Sequence, residues 1–282
     1  MAPLIFPVPD LTMGEVGTPT DFHSHLVPGV DDGARTLEES LEAVERMVGA
    51  GIGRICTTPH LNASLTHDPA KLKGRLDEVD AAWELVSSAV AERFPDLPFH
   101  RGFEVMLDVP DPDFSDPRLR LNGSPFVLVE WQLLQIPPRT AQVIRRICAE
   151  GYRPILAHPE RYQGMGNDLE LAGEWRRSGA YLQVNQGSFA DRYGPQARSV
   201  ACSLLARGWV DYLSSDFHAR QHLGIYFRDV TDFLLAHGGQ EQLRLLTVTN
   251  PGRVFTDETP LPVPSLVIQQ PLWTRVKNIF KG

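Results

Sequence analysis

Along most of the chain, short apolar runs alternate with segments of helical period, as in β-strands joined by crossover helices into a parallel sheet. The spacing predicts strands at Thr20–His23, Arg54–Thr58, Phe99–Glu104, Pro125–Glu130, Pro154–His158, Tyr181–Asn185 and Asp211–Ser214. Thr36-Leu37-Glu38-Glu39 opens a helix with Thr three residues ahead of Glu, a capping-box pattern that satisfies otherwise free backbone N–H groups. Leu37, Leu41, Val44 and Val48 form its apolar face, and Gly51 and Gly53 end it. A long helix is predicted from about Pro69 to Arg93, and another over Arg139–Glu150. The fold class is therefore α/β. In a β/α barrel the carboxyl ends of all the strands open on one face, so residues distant in sequence would converge there. The first and last ligand-type pairs would be neighbours if the barrel closes.

The periodic region runs from residue 20 to about residue 256. Residues 1–19 read as an irregular extension, because three prolines interrupt their apolar start and no basic residue precedes it, unlike a signal peptide. Residues 257–282 form a proline-rich tail with Pro260, Pro262, Pro264 and Pro271. Its end, Trp273 to Lys281, interleaves apolar and basic residues at near-helical spacing. It is expected to pack on the barrel as a helix or strap; the alternative is peripheral docking to a partner or an anionic membrane surface.

Composition narrows the picture a little. The formal net charge of −8 argues against a general nucleic-acid binder. No stretch approaches the roughly 20 apolar residues of a membrane span. The three cysteines, Cys56, Cys148 and Cys202, are odd in number and widely spaced, which disfavours a disulfide framework and fits a reducing cytoplasm.

The chemistry sits at the strand ends. His23, His25, His60, Glu104, Glu130, His158, Asp216 and His218 all lie at or just past a predicted strand terminus, and Asp31-Asp32-Gly33 follows the first. Buried imidazoles and carboxylates are costly unless paired. A cluster of divalent cations would take imidazole lone pairs and neutralise the carboxylates together; mixed nitrogen and oxygen ligands suit manganese, iron, cobalt or zinc. His-x-His on a strand places two imidazoles about 7 Å apart on the same side. A cysteine phosphatase loop needs five residues between cysteine and arginine. Cys148 to Arg153 and Cys202 to Arg207 leave four, and Cys56 has no arginine within reach.

The ordered set Asp21-Phe22-His23-Ser24-His25, Asp31-Asp32-Gly33, Thr58-Pro59-His60, Gly102-Phe103-Glu104, Val129-Glu130, Ile136-Pro137, Ala157-His158-Pro159-Glu160-Arg161-Tyr162, Gln183-Val184-Asn185-Gln186-Gly187-Ser188 and Ser215-Asp216-Phe217-His218 resembles the polymerase-and-histidinol-phosphatase (PHP) superfamily. Within it the chain is most similar to the bacterial manganese-dependent protein tyrosine phosphatases of capsule and exopolysaccharide systems. The resemblance implies a distorted (β/α)7 barrel holding three divalent ions, manganese foremost. It implies one ion on His23, His25, Glu104 and Asp216, a second sharing Glu104 with His60 and His158, and a third on Asp32, Glu130 and His218. Such cations can lower the pKa of water from about 15.7 to near 7, giving a hydroxide that attacks phosphorus. Glu104 and Asp216 would be central to catalysis, with Arg161 binding the phosphate. The family's second arginine position holds Leu223, which makes Arg220 and Arg228 the nearest substitutes.

The implied substrate is a phosphotyrosine protein, with a bacterial tyrosine kinase of polysaccharide export as partner. Two alternatives stand beside it: a small-molecule phosphoesterase such as a histidinol-phosphatase, and a catalytically weak, metal-stabilised regulatory protein. His67, His100, His222 and His237 match no family position and are expected at or near the surface or behind the ligands. Asp31 is expected to hydrogen-bond within its loop. Asn185 and Ser188 would serve either the site or a turn.

Overall fold

A computed structural model describes residues 17–268, so the tail segment Trp273–Lys281 and nearly all of the 1–19 extension lie outside the described residues. The chain begins with β1 (Thr20–Asp21), α1 (Leu37–Gly49), β2 (Arg54–Thr57), β3 (His60–Asn62), α2 (Pro69–Arg93), β4 (Phe99–Arg101) and β5 (Glu104–Leu107). It continues through β6 (Phe126–Trp131), α3 (Thr140–Ala149), β7 (Arg153–Ala157), α4 (Glu170–Arg177), β8 (Tyr181–Asn185), α5 (Gly194–Ala206) and β9 (Tyr212–Ser214), and ends in α6 (Phe227–Ala236), α7 (Gln240–Arg244) and α8 (Asn250–Val254). The local signals act as expected at the helix starts. Thr36 accepts a hydrogen bond from the Glu39 N–H to cap α1, and Asp68 accepts one from Lys71 ahead of Pro69 in α2.

Among the described residues all strand pairs are parallel, in two ladders ordered β1-β2-β4 and β3-β5-β6-β7-β8-β9. Two of the predicted strands are interrupted and resume to run past their predicted ends. The first break falls at Thr58-Pro59, where proline offers no N–H and restricts its predecessor. The second falls at Gly102-Phe103, where a Cβ on Gly102 would lie 3.0 Å from the Arg120 carbonyl and the Leu121 Cα. β2 pairs with β4 before the breaks and β3 with β5 after them, so the ladder bends without changing neighbours. The outer edges meet just past β1 and β9. His25 N–H donates to the Phe217 carbonyl at 2.9 Å, Asp216 N–H to the His23 carbonyl at 2.8 Å, and Phe22 N–H to Ser214 Oγ at 2.9 Å. Seven consecutive strand runs thus form a ring, distorted at the shared break.

Strand parity sorts the core. Phe126, Leu128, Ile155, Ala157 and Tyr212 fill the inside of the ring with Phe22 and Cys56. Their neighbours Val127, Val129, Leu156, Leu182 and Val184 pack outward with residues of the surrounding helices. Each such fully buried aliphatic side chain contributes about 1.5–3 kcal/mol. The same alternation puts His60, Glu104, Glu130, Gln183 and Asn185 on the inner side, above that apolar plug. Residues 257–268 run as a strap over the domain: Leu261 N–H donates to Asn250 Oδ1 at 2.8 Å, and Val263 and Leu266 are buried. No helix among the described residues is long and apolar enough to cross a membrane.

Candidate metal centre

His23 and His25 flank Ser24 just past β1, and both are fully buried. Each is oriented from behind. His23 Nδ1 meets Gln183 Oε1 at 2.8 Å, and His25 Nδ1 meets Asp31 Oδ2 at 2.8 Å. An amide oxygen and a carboxylate can only accept, so Nδ1 carries the proton and the Nε2 lone pair faces inward. Both Nε2 atoms point at the Glu104 carboxylate, 3.1 and 3.4 Å from Oε2, and both lie 3.5 Å from Asp216 Oδ1. His23 Nε2, His25 Nε2 and Glu104 Oε2 are buried and make no hydrogen bond among the described residues. Two inward lone pairs and an unpartnered carboxylate oxygen suit a divalent cation, which would satisfy all three at once.

The other ligand-type residues gather around this pair. His60 Nδ1 is 3.2 Å from Glu104 and 3.7 Å from Glu130, while its Nε2 is 3.3 Å from Asp32. His158 Nε2 lies 2.9 Å from Glu104 and 3.7 Å from Glu130. His218 Nε2 is 3.4 Å from Asp32, and its ring stacks on His25 at 4.1 Å. Three groups have ligand atoms mutually within 4.8 Å: His23, His25, Glu104 and Asp216; His60, Glu104 and Glu130; and His25, Asp32, His60 and His218. All nine residues singled out in the sequence converge. The first group coincides with the expected first set. The other two differ: Glu130 lies with His60 and Glu104, and beside His158, instead of with Asp32 and His218. His60 takes the place expected for Glu130 beside Asp32.

The backbone is bent to make this possible. His158 (φ 35°) and Asp216 (φ 53°) occupy the left-handed region, which costs non-glycine residues about 1–3 kcal/mol and is concentrated at functional sites. Gly33 lets its loop close on the site, since a Cβ there would fall 2.2 Å from the His25 carbonyl. Asp31 anchors that loop through the Gly33 and His60 N–H groups as well as holding His25.

The electrostatics describe a cluster that holds positive charge. Burial alone would lower His23, but Glu104 and Asp216 outweigh it and raise its pKa to about 9. His25 is raised for similar reasons against the same burial penalty, with Asp216 and Asp31 foremost. Glu104 is pulled well below the usual carboxylate range, despite burial, by His23 and His158. Glu130 is pushed up to about 7 by burial and by the neighbouring Glu104. Protons on imidazoles here do what cations would do better.

Arg161 does not stand free. Its Nη1 lies 2.5 Å from Asp216 Oδ2, and its guanidinium rests over the Tyr193 ring at 4.5 Å. A cavity of about 350 Å³ opens beside it, lined by Arg192, Arg220, Tyr193, Phe217 and Tyr226 among others. Arg220 borders this cavity and donates to the Asp32 carbonyl. Arg228, the other substitute considered for position 223, instead donates to the Gly49 carbonyl and does not line the cavity. His222 lines it as well.

Asn185 belongs to the site: its Nδ2 donates to Asp216 Oδ2 at 2.8 Å and to Tyr193 Oη at 3.2 Å. Ser188 donates to Glu160, holding a turn. Tyr193 and Arg192 were unmarked by sequence reasoning, and Gln183, quoted within the family-like run, was given no role; a polar residue at an inward strand position was the available signal for one. Cys56 is buried at the inner core. Cys148 and Cys202 lie on α3 and α5, and burial pushes all three thiols up, away from nucleophilic character.

Comparison with known proteins bears on the family and the fold. A family model described as capsular polysaccharide synthesis, CpsB/CapC, matches residues 19–256. Tyrosine-protein phosphatase YwqE of Bacillus subtilis (strain 168) is 27% identical over 232 residues, 80% of this chain and 88% of its own. Tyrosine-protein phosphatase CpsB of Streptococcus pneumoniae is 25% identical over 246 residues, 84% of this chain and 98% of its own. A solved structure from work on YwqE and CpsB, described as unique metal-dependent tyrosine phosphatases, superposes with a TM-score of 0.73 at 24% identity, covering 89% of this chain and 100% of that one. An organophosphorus hydrolase from Deinococcus radiodurans superposes with a TM-score of 0.51 at 17% identity, over 86% and 93% of the two chains. Both structures share the fold.

Proposed function

We propose the function of this chain as a member of the CpsB/CapC family of capsular polysaccharide synthesis, to which it belongs: it is a metal-dependent protein tyrosine phosphatase. The observation that carries this is the convergence of His23 Nε2, His25 Nε2 and Glu104 Oε2, buried and without hydrogen bonds among the described residues, beside a cavity rimmed by guanidinium groups. The ligand sets would be His23, His25, Glu104 and Asp216; His60, Glu104 and Glu130, with His158; and Asp32 and His218. They would hold three ions, manganese foremost, with iron, cobalt or zinc as alternatives. When bound, such cations supply Lewis acidity, making a hydroxide available near neutral pH and drawing charge off the phosphoryl oxygens.

The protein's own groups do the rest. Gln183 and Asp31 fix the tautomers of His23 and His25. Asn185 holds Asp216 in place from the side opposite the histidines' lone pairs. Arg161, braced on Tyr193 and paired through Nη1 with Asp216, borders the cavity beside the cluster and would offer a phosphate its remaining N–H donors. Tyr193, Phe217 and Tyr226 give the cavity an aromatic lining that suits an aryl ester. A tyrosine phenolate, with a pKa of about 10, leaves with little help from a general acid.

The expected substrate is a phosphotyrosine protein, namely a tyrosine kinase of polysaccharide export, and the three free thiols fit a cytoplasmic setting. The test is steady-state turnover of phosphotyrosine peptides against a panel of sugar, histidinol and other alkyl phosphates, with the chain stripped of metal and reloaded with manganese. Preference for an alkyl phosphate would favour the small-molecule reading. Metal binding without turnover of any ester would favour the regulatory one.

A further inference from the structure

Three guanidinium groups border the cavity beside the cluster, and they differ in what already occupies them. Arg161 is paired with Asp216. Arg220 donates to the Asp32 carbonyl and lies 3.7 Å from Glu39. Arg192 is exposed and, among the described residues, has no ion pair and no side-chain hydrogen bond; its guanidinium lies 5.5 Å from the centre of the Tyr193 ring. The two carboxylates lining the cavity, Asp32 and Asp216, both belong to the metal-ligand groups. Asp32 is exposed, but cations held by these groups would offset both charges and leave the guanidinium groups to set the sign of the outer cavity.

A second feature adds to this. Tyr193 has both Arg161 and Arg192 over its ring, so one aromatic residue links an inner guanidinium at the cluster to an outer one at the rim.

We infer that Arg192 is a specificity-determining residue that reads an acidic side chain next to the phosphotyrosine of the substrate, so that the preferred substrates are acidic phosphotyrosine segments. The inference rests on the phosphatase reading for the inner position and extends it outward. Arg161 takes the phosphate, the aromatic lining takes the phenyl ring, and Arg192 meets the next carboxylate along the chain. An exposed pair of this kind is worth at most about fivefold in affinity.

The test uses two fluorescent peptides carrying a non-hydrolysable phosphonate analogue of phosphotyrosine, one flanked by Asp and Glu, the other by Asn and Gln. Binding to the full manganese-loaded chain is measured by anisotropy, and the readout is the ratio of the two Kd values. The acidic peptide should bind the parent protein more tightly, by up to about fivefold. Arg192→Ala should bring the ratio near one, Arg192→Lys should keep most of it, and Arg192→Glu should invert it. A general disturbance of the site would weaken both peptides together and leave the ratio intact. An unchanged ratio in Arg192→Ala, or equal binding by the parent protein, overturns the inference. The corresponding phosphotyrosine peptides are assayed for hydrolysis in parallel. Acidic preference without hydrolysis of either would leave the Arg192 subsite standing and remove the phosphatase reading.

Discussion

Replacing Glu104 with glutamine is the most informative single perturbation of the cluster. Four imidazole nitrogens, from His23, His25, His60 and His158, lie between 2.9 and 3.4 Å from its carboxylate. Gln keeps the shape, but it gives up the charge and turns an amide N–H₂ toward those rings. Stripping one partner from a buried charged group typically costs about 3–5 kcal/mol, so metal affinity should fall at least about 100-fold. The metal-free protein gives an independent measure. His23 is held near 9 against its burial, with Glu104 contributing more than Asp216. Losing the larger contribution should bring His23 below about 8, a change of more than about 1.4 kcal/mol. Elemental analysis after gel filtration reads the first effect, and a proton-NMR titration of the imidazoles reads the second. Full metal occupancy with near-parental phosphotyrosine turnover, or a His23 titration unmoved from about 9, would refute the reasoning.

Other outcomes follow from the same geometry. Arg161→Ala should raise KM for aryl phosphates about 10–100-fold, the range for a lost charge-assisted contact, with metal content unchanged; loss of metal instead would place Arg161 in support of Asp216. Stability of the metal-free chain should fall as pH rises from about 6.5 to about 9. The raised His23 stabilises fully below its unfolded value and loses that contribution through about 9, while Glu130, raised from 4.5 to about 7, brings a loss of its own that is complete near 7. The metal-loaded chain should slope the other way, because cations need the deprotonated imidazoles; parallel melting curves across that range would contradict both statements. Turnover should require a divalent cation and survive thiol alkylation, and loss of activity in Cys148→Ser or Cys202→Ser with chelation harmless would point to a cysteine mechanism.

The strand ends were legible because a ligand there interrupts an apolar run with a charge that burial alone would forbid, as at Leu128-Val129-Glu130 and Leu156-Ala157-His158. Which ligands share a group was not, because that depends on how the strands tilt past one another. Glu104 pairs in register with Leu128, and Glu130 sits one inward position further along β6, opposite Met106. The bend at Pro59 and Gly102 restarts β3 and β5 at His60 and Glu104, which face each other across the ladder. That bend swings His60 between Glu130 on one side and Asp32 on the other, and no periodicity records a bend shared by two strands. The left-handed residues are a different case. Pattern and propensity describe His158 and Asp216 as ordinary strand termini, yet each aims its side chain from a conformation its own residue type resists. Such positions are held by their surroundings. Asn185 binds Asp216, Glu104 meets His158, and backbone bonds across the barrel seam fix His23 and Asp216 together. The strain and its restraints arise only once the ring has closed, so the site's final geometry is a property of the barrel and not of any strand within it.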